Sequence, residues 1–128
     1  ISNSATGAFG VYAFDVDGDG VDDVLSASYS DDTVAWFEND GSQSFTERIL
    51  TTLAEGARNV FAIDVDGDGD ADALSASNGD DTVAWYENDG SQSFAELVIA
   101  DAADQANTVF AFDVDGDGVD DVLSASYS

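Results

Sequence analysis

The sequence predicts an all-β fold of β-propeller blades, each with four antiparallel strands. About 2.6 blades of 49 residues are present, which makes an incomplete ring. Three observations predict this. The first is an internal repeat: Asp15, Asp64 and Asp113 recur at an interval of 49 residues, as do Trp36 and Trp85. Residues 15–63 and 64–112 align without a gap at 31 identities in 49, and residues 113–128 match 15–30 at every position. The second is that each unit holds short apolar or β-branched runs bounded by Gly, Asn, Asp and Ser, the pattern of strands and turns. The third is an acidic, glycine-containing loop in one register in every copy, between the first two runs.

In chain order, residues 1–10 read as the end of a preceding blade and a connector. Ile1 aligns with Leu50 and Ile99, and residues 2–10 align with the small-residue stretches 51–59 and 100–108. Blade 1 is residues 11–59, with strands predicted at 11–14, 24–28, 33–38 and 44–50. Tyr29-Ser30-Asp31-Asp32 makes a tight turn, and Asn39-Asp40-Gly41-Ser42 carries residues that tolerate positive φ in a hairpin. Blade 2 is residues 60–108, with strands at 60–63, 73–77, 82–87 and 93–99. The first half of blade 3 is residues 109–128, with strands at 109–112 and 122–127. A first strand near a propeller axis has little room, and Ala13, Ala62 and Ala111 are small enough for it. Propellers close with about 4–8 blades. This chain is therefore expected to be a processed or excised piece of a longer array, or to assemble in a filament-like way through self-association or neighbouring repeats.

Composition limits the partners. The 128 residues carry 28 acidic side chains against two cations, Arg48 and Arg58, for a formal charge of -26. Phosphate binding needs a basic footprint, so nucleic acid is excluded as a partner. An anionic membrane surface is equally unfavourable. No apolar run is long enough to span a bilayer, so no membrane insertion is expected. Cys, Met, His and Pro are all absent, so no disulfide framework exists.

The repeated loop explains much of the acid. In Asp15-Val16-Asp17-Gly18-Asp19-Gly20-Val21-Asp22-Asp23, carboxylates stand at positions 1, 3, 5 and 9. Calcium takes roughly 6–8 oxygens. Asp15, Asp17, Asp19 and Asp23, the backbone carbonyl of Val21 and a water would complete such a shell. Converging carboxylates repel one another strongly at neutral pH unless a cation lies among them. Magnesium fits less well, because it demands stricter octahedral geometry. An EF-hand is ruled out. That motif needs a Glu at position 12 and flanking helices, whereas position 12 here is Ser26, Ser75 or Ser124 and the flanks read as strands. Three loops with four carboxylates each use 12 of the 28 acids, and one Ca²⁺ per repeat gives three sites.

The run Phe14-Asp15-Val16-Asp17-Gly18-Asp19-Gly20-x-x-Asp23-Val24-Leu25 and its two copies resemble the FG-GAP/VCBS repeats of integrin-α-type β-propellers. The extension through Asp31-Asp32-Thr33-Val34-Ala35-Trp36-Phe37-Glu38-Asn39-Asp40-Gly41 resembles secreted VCBS arrays. The resemblance covers essentially the whole chain. It implies that the loop joins the first two strands of each blade and holds Ca²⁺. The metal set it implies is Asp15, Asp17, Asp19, Val21 and Asp23; Asp64, Asp66, Asp68, Asp70 and Asp72; and Asp113, Asp115, Asp117, Val119 and Asp121. Val21, Asp70 and Val119 would act through their carbonyls.

The expected function is a calcium-stabilised structural or adhesive repeat module, extracellular, secreted or on a cell surface. Extracellular calcium modules bind at about 10⁻⁴–10⁻³ M. A carbohydrate-binding, lectin-like propeller is the alternative, with a protein or glycan ligand. Trp36, Phe37, Trp85 and Tyr86 could stack on sugars or pack between blades. An enzyme is not expected. Asp31-Asp32, Asp80-Asp81 and Glu38-Asn39-Asp40 have the right residue type for glycoside hydrolysis. They repeat with the unit, however, and no His, Cys or Lys is available as base or nucleophile.

Overall fold

The computed structural model describes residues 1–127 and is all-β. Its strands are β1 (Ala8–Phe14), β2 (Asp23–Ser28), β3 (Thr33–Asn39), β4 (Phe45–Thr51), β5 (Ala57–Ile63), β6 (Asp72–Ser77), β7 (Thr82–Asn88), β8 (Phe94–Ala100), β9 (Ala106–Phe112) and β10 (Asp121–Ser126). They form two four-stranded antiparallel meanders, β1-β2-β3-β4 and β5-β6-β7-β8, and a two-stranded sheet, β9-β10. Two complete blades and a half-blade thus stand in an open, non-closed row. Ser128, the last residue of the predicted half-blade, lies outside the described residues. No helix among the described residues is long and apolar enough to cross a membrane.

The inner strands start earlier than the hydrophobic pattern predicts. β1, β5 and β9 begin at Ala8, Ala57 and Ala106, inside the stretches read as connectors. Ala8 pairs with Ser28 and Gly10 with Ala27, across a bulge between Ala8 and Gly10. The extra pairing continues into the connector, where Tyr29 N–H donates to Gly7 O at 3.0 Å and Ser30 N–H to Thr6 O at 3.2 Å. These residues are small or polar and show no period-2 alternation, so only the partner strand reveals them as extended. The hairpin prediction holds: Asp40 N–H bonds Ser44 O at 3.2 Å, with Gly41 and Gln43 at φ of 74° and 68°.

β1, β5 and β9 lie side by side as the inner strands. Space is short there: a Cβ on Gly10 would meet Arg58 O at 2.5 Å. A ladder of aromatic rings runs along this inner face, with Tyr12 and Phe61 centroids at 4.7 Å and Phe61 and Phe110 at 4.4 Å. These three rings occupy one position in successive repeats, so the repeat itself builds the stack, and such pairs add about 0.5–1.5 kcal/mol beyond burial.

The core lies between blades rather than within one. Leu25, Ala27, Val34 and Trp36 of blade 1 pack on Val60, Ala62, Ala84 and Tyr86 of blade 2. Leu74, Ala76 and Val83 of blade 2 pack on Val109 and Ala111 of the half-blade. Both faces of a blade must therefore be apolar, which is why β2 and β6 read as nearly continuous runs of small apolar and serine residues.

Candidate metal centre

Each acidic loop joins the first and second strands of its blade. Gly18 and Gly20 sit at φ of 74° and 89°, as do their copies Gly67 and Gly69 and Gly116 and Gly118 in the same left-handed region. A side chain is strained in that conformation. The loop then wraps on its own carboxylates. Asp15 Oδ2 accepts from Gly20 N–H at 2.9 Å, Asp17 Oδ1 from Asp19 N–H at 3.2 Å, and Asp19 Oδ1 from Val21 N–H at 2.8 Å. The other loops repeat this, with Gly69 donating to Asp64, Asp70 to Asp68, Gly118 to Asp113 and Val119 to Asp117.

The structure brings acidic oxygens together in all three loops. Asp15, Asp17 and Asp19 form one group, Asp64, Asp66 and Asp72 a second, and Asp113, Asp115 and Asp121 a third, each with ligand atoms within 4.8 Å of one another. These three groups could hold a metal ion. Positions 1 and 3 recur in all of them, while the third member is position 5 in the first loop and position 9 in the other two. Asp68 and Asp117 stand at position 5 outside the tight groups. Val21, Asp70 and Val119 stand at position 7, their N–H groups held by the position-5 carboxylates.

One observation tests the fit of a cation. Asp15 Oδ1 is buried and has no hydrogen-bond partner. A buried carboxylate oxygen without a donor is costly unless a positive charge faces it. Burial, with the charges of Asp23, Asp19 and Glu38 behind it, holds the Asp17 carboxyl above its ordinary range. Burial does the same to Asp72, against the pull of the Asn88 and Val65 N–H groups. Both shifts mark sites where negative charge is crowded and undercompensated.

Position 9 has a second task that the sequence did not show. Asp23 Oδ2 accepts from Val16 N–H at 3.1 Å and Oδ1 from Asn39 N–H at 2.7 Å. Asn39 Nδ2 returns a bond to Asp22 O at 3.0 Å. Asp72, Val65, Asn88 and Ala71 repeat this arrangement. The buried aspartate therefore ties the loop to the end of the third strand. A carboxylate has about four lone-pair sites, so these bonds leave room for a cation. Asn39 and Asn88 are the functional residues missed by sequence reasoning; the signal was an asparagine 16 residues after position 9 in both complete units.

The other carboxylates singled out by residue type each hold at least one partner, although Asp31 Oδ1, like Asp15 Oδ1, is buried without one. Asp31 Oδ2 accepts from Thr6 N–H at 2.8 Å in the connector before blade 1, and Asp32 Oδ1 from Gly56 N–H at 2.9 Å in the connector after it. Asp80 and Asp81 do the same with Glu55 at 3.2 Å and Gln105 at 2.7 Å. Each turn between second and third strands thus latches two consecutive connectors. Glu38 bonds Arg48 Nε at 2.7 Å, and Asp40 caps Ser42, whose hydroxyl holds that carboxyl below its ordinary range. Of the aromatic candidates, Trp36 and Tyr86 are buried between blades 1 and 2, Phe37 is buried on the other face of blade 1, in a cavity lined also by Ile1, Phe9 and Val11, and Trp85 is half-buried.

The loops stand in a row on one rim. A cleft of about 300 Å³ between the first two is lined by Asp15, Asp17, Asp64 and Asp70. A family model described as FG-GAP-like repeat matches residues 15–75 and again 64–124, so the two matches together run through all three loops. No curated protein matches the chain.

Proposed function

The chain belongs to the FG-GAP-like repeat family, and from that premise we propose that it is a calcium-stabilised extracellular module with a structural or adhesive task in a propeller-type array. The unpartnered, buried Asp15 Oδ1 inside a thrice-repeated carboxylate loop carries the proposal. Asp15, Asp17, Asp19 and Asp23 would hold the ion in blade 1, with Asp64, Asp66, Asp68 and Asp72, and Asp113, Asp115, Asp117 and Asp121, as their counterparts. The carbonyls of Val21, Asp70 and Val119 would complete each shell. An all-oxygen donor set of this flexibility suits calcium over magnesium. The ion supplies charge neutralisation, and through the position-9 aspartate it couples each loop to the third strand, so that binding becomes folding energy.

The family consists of structural and adhesive repeats rather than typical enzymes. Asp31, Asp32, Asp80 and Asp81 each accept from a backbone N–H of a connector, which gives these pairs a structural task. An extracellular setting supplies calcium at the level such modules need, and an acid excess of this size remains soluble there. Trp36, Phe37 and Tyr86 offer no open face to a glycan.

Calorimetric titration of the chelated protein with Ca²⁺ tests this directly. Up to three ions should bind per chain, and chelation should lower the Tm by about 10 °C or more, from about 1–3 kcal/mol per site. An unchanged melt in chelator would overturn the proposal.

A further inference from the structure

Residues that repeat in this chain build the fold; residues that break the repeat and still meet in space mark a place of their own. Positions 9, 58 and 107 are equivalent, yet hold Phe, Arg and Asn, and the equivalent positions 29 and 78 hold Tyr and Asn. Phe9, Arg58 and Tyr29 converge where blade 1 meets blade 2. Phe9 is near the start of β1 and Tyr29 just past the end of β2, so this is the rim opposite the acidic loops. The Arg58 guanidinium carbon lies 5.1 Å from the Phe9 ring centre and 5.4 Å from that of Tyr29, and the two rings are 6.4 Å apart. At that spacing the rings form a corner around the cation and do not sandwich it. With Gly7, Ala8 and Ser30 these residues line an open recess of about 420 Å³, in the size range of small-ligand sites. A blade before blade 1 would set its turn against Gly7 and Phe9, as the turn at Tyr29 stands against Gly56 and Arg58. It would add a wall there and leave the Arg58 side unchanged.

Arg58 is one of two cations beside 28 acids, yet among the described residues only Arg48 forms an ion pair, with Glu38. Arg58 makes a single hydrogen bond there, from Nη1 to Asn107 Oδ1 at 2.8 Å. Its Nε is buried and has no acceptor. A guanidinium presents five N–H groups in a flat fork, and the Nε–Nη2 edge of this one is unmatched. The rings favour the charge, but they do not satisfy a buried donor. At the next junction Asn107, Asn78 and Gly79 replace Arg58, Tyr29 and Ser30, so cation and rings meet once in this chain. We propose that the recess binds a carboxylate borne on a single ring. The carboxylate takes the Nε–Nη2 edge of Arg58, and the ring lies against Phe9 and Tyr29. A carboxylate matches the fork with two parallel N–H···O bonds. A phosphate dianion meets twice the repulsion from a chain of charge -26. Tyr29 stays 41% exposed between two blades, and a ring laid on it buries apolar surface that a bare ion cannot.

The composition supplies the test. Two arginines give two Nε–Hε cross-peaks in a proton–nitrogen NMR spectrum, one of them from Arg48, which Glu38 holds. Arg48→Gln assigns the pair and should leave binding unchanged. Benzoate and glucuronate are each titrated into the native chain in calcium-containing buffer. The Arg58 cross-peak should shift and saturate with a Kd of about 1 mM, the affinity usual for so few atoms, while the Arg48 cross-peak does not follow. A response to either acid supports the site, and the tighter of the two tells whether the ring is a flat hydrocarbon or a sugar. Acetate carries the same carboxylate without a ring and should bind at least about tenfold more weakly. Acetate binding as tightly as both ring acids would mean an adventitious ion only and would overturn the proposal. So would an Arg58 cross-peak unmoved by either ring acid at ten times that concentration. Arg58→Lys keeps the charge and loses the fork, and should weaken benzoate at least about tenfold by ligand-detected NMR. Phe9→Ala with Tyr29→Ala leaves Arg58 in place, so it serves even if the lysine variant fails to fold. It should erase the preference for benzoate over acetate; a preference that survives it would sink the assignment.

Discussion

Residues 15–27 and 113–125 are the same thirteen amino acids in the same strand-loop-strand unit. In blade 1 the segment is walled in by β3 on one side and blade 2 on another, and β2 is almost wholly buried. In the half-blade the same residues of β10 are nearly all exposed. Both loops nevertheless share the same curl, with left-handed glycines and the position-6 N–H turned onto Asp15 or Asp113, although Asp113 Oδ1 also accepts from Gly116 and Asp117 where Asp15 Oδ1 has no partner. Loop shape is therefore a local property of the sequence. Burial, and the second bond of the position-9 aspartate, are supplied only by the next strand.

Paired substitutions at identical positions can break this contrast. The largest difference is expected at the leucines. Leu25→Ala should cost about 2–5 kcal/mol of stability by denaturant unfolding, because it empties a site sealed between two blades. Leu123→Ala should cost less than about 1 kcal/mol, since solvent already reaches that side chain. Equal losses would mean that the half-blade is covered in solution.

Next come the position-9 aspartates. Asp23→Ala leaves two N–H groups without an acceptor, those of Val16 and Asn39, at about 1–3 kcal/mol each when buried. Asp121→Ala orphans only the exposed Val114 N–H and should cost well under 1 kcal/mol by the same scale. Thermal unfolding of the two variants in chelator separates this bracing task from any effect on cation affinity.

A pH series sharpens the comparison further. Asp17 and Asp72 are held above their ordinary range in the folded chain, so their contribution to stability is full below the unfolded carboxylate pKa and is lost as pH rises through the folded value. Chelated protein should therefore gain Tm as pH falls from 7 toward the upper carboxylate range. Protein saturated with calcium should lose Tm over the same interval, because protons then compete with the ion.

The smallest effect concerns a connector. Gly56 adopts φ 65° between the blades, and Gln105 takes φ 50° at the same place one repeat later. Gln105→Gly should raise stability by up to about 1 kcal/mol, relieving a left-handed side chain. Gly56→Gln should lower it, because a Cβ there meets Gly79 N at 3.0 Å and Tyr29 at 3.2 Å.

What was legible in the sequence follows the same division. The 49-residue unit, its four strands, its hairpins and the acidic loops are written in adjacent residues, and the structure follows them. The starts of β1, β5 and β9 were not legible, because Ala8 and Gly10 are extended only by virtue of Ser28 and Ala27 opposite. Nor was the use of Asp31 and Asp32, whose N–H partners lie 25 and 24 residues away on two different connectors. Residue type alone made those carboxylates resemble reacting groups. Asn39 read as a hairpin residue, although its side chain reaches back to Asp22 O.

Those carboxylate latches have a mechanical meaning. Along an array of such units, a stretching force would meet the same pair of clasps at every connector, beside the connector's own backbone bonds and the core between blades. Extension should then proceed in equal steps, each one freeing a 49-residue ribbon with a contour of about 160–180 Å. A tether of this design yields by measured increments, with untouched blades beyond each break still carrying load.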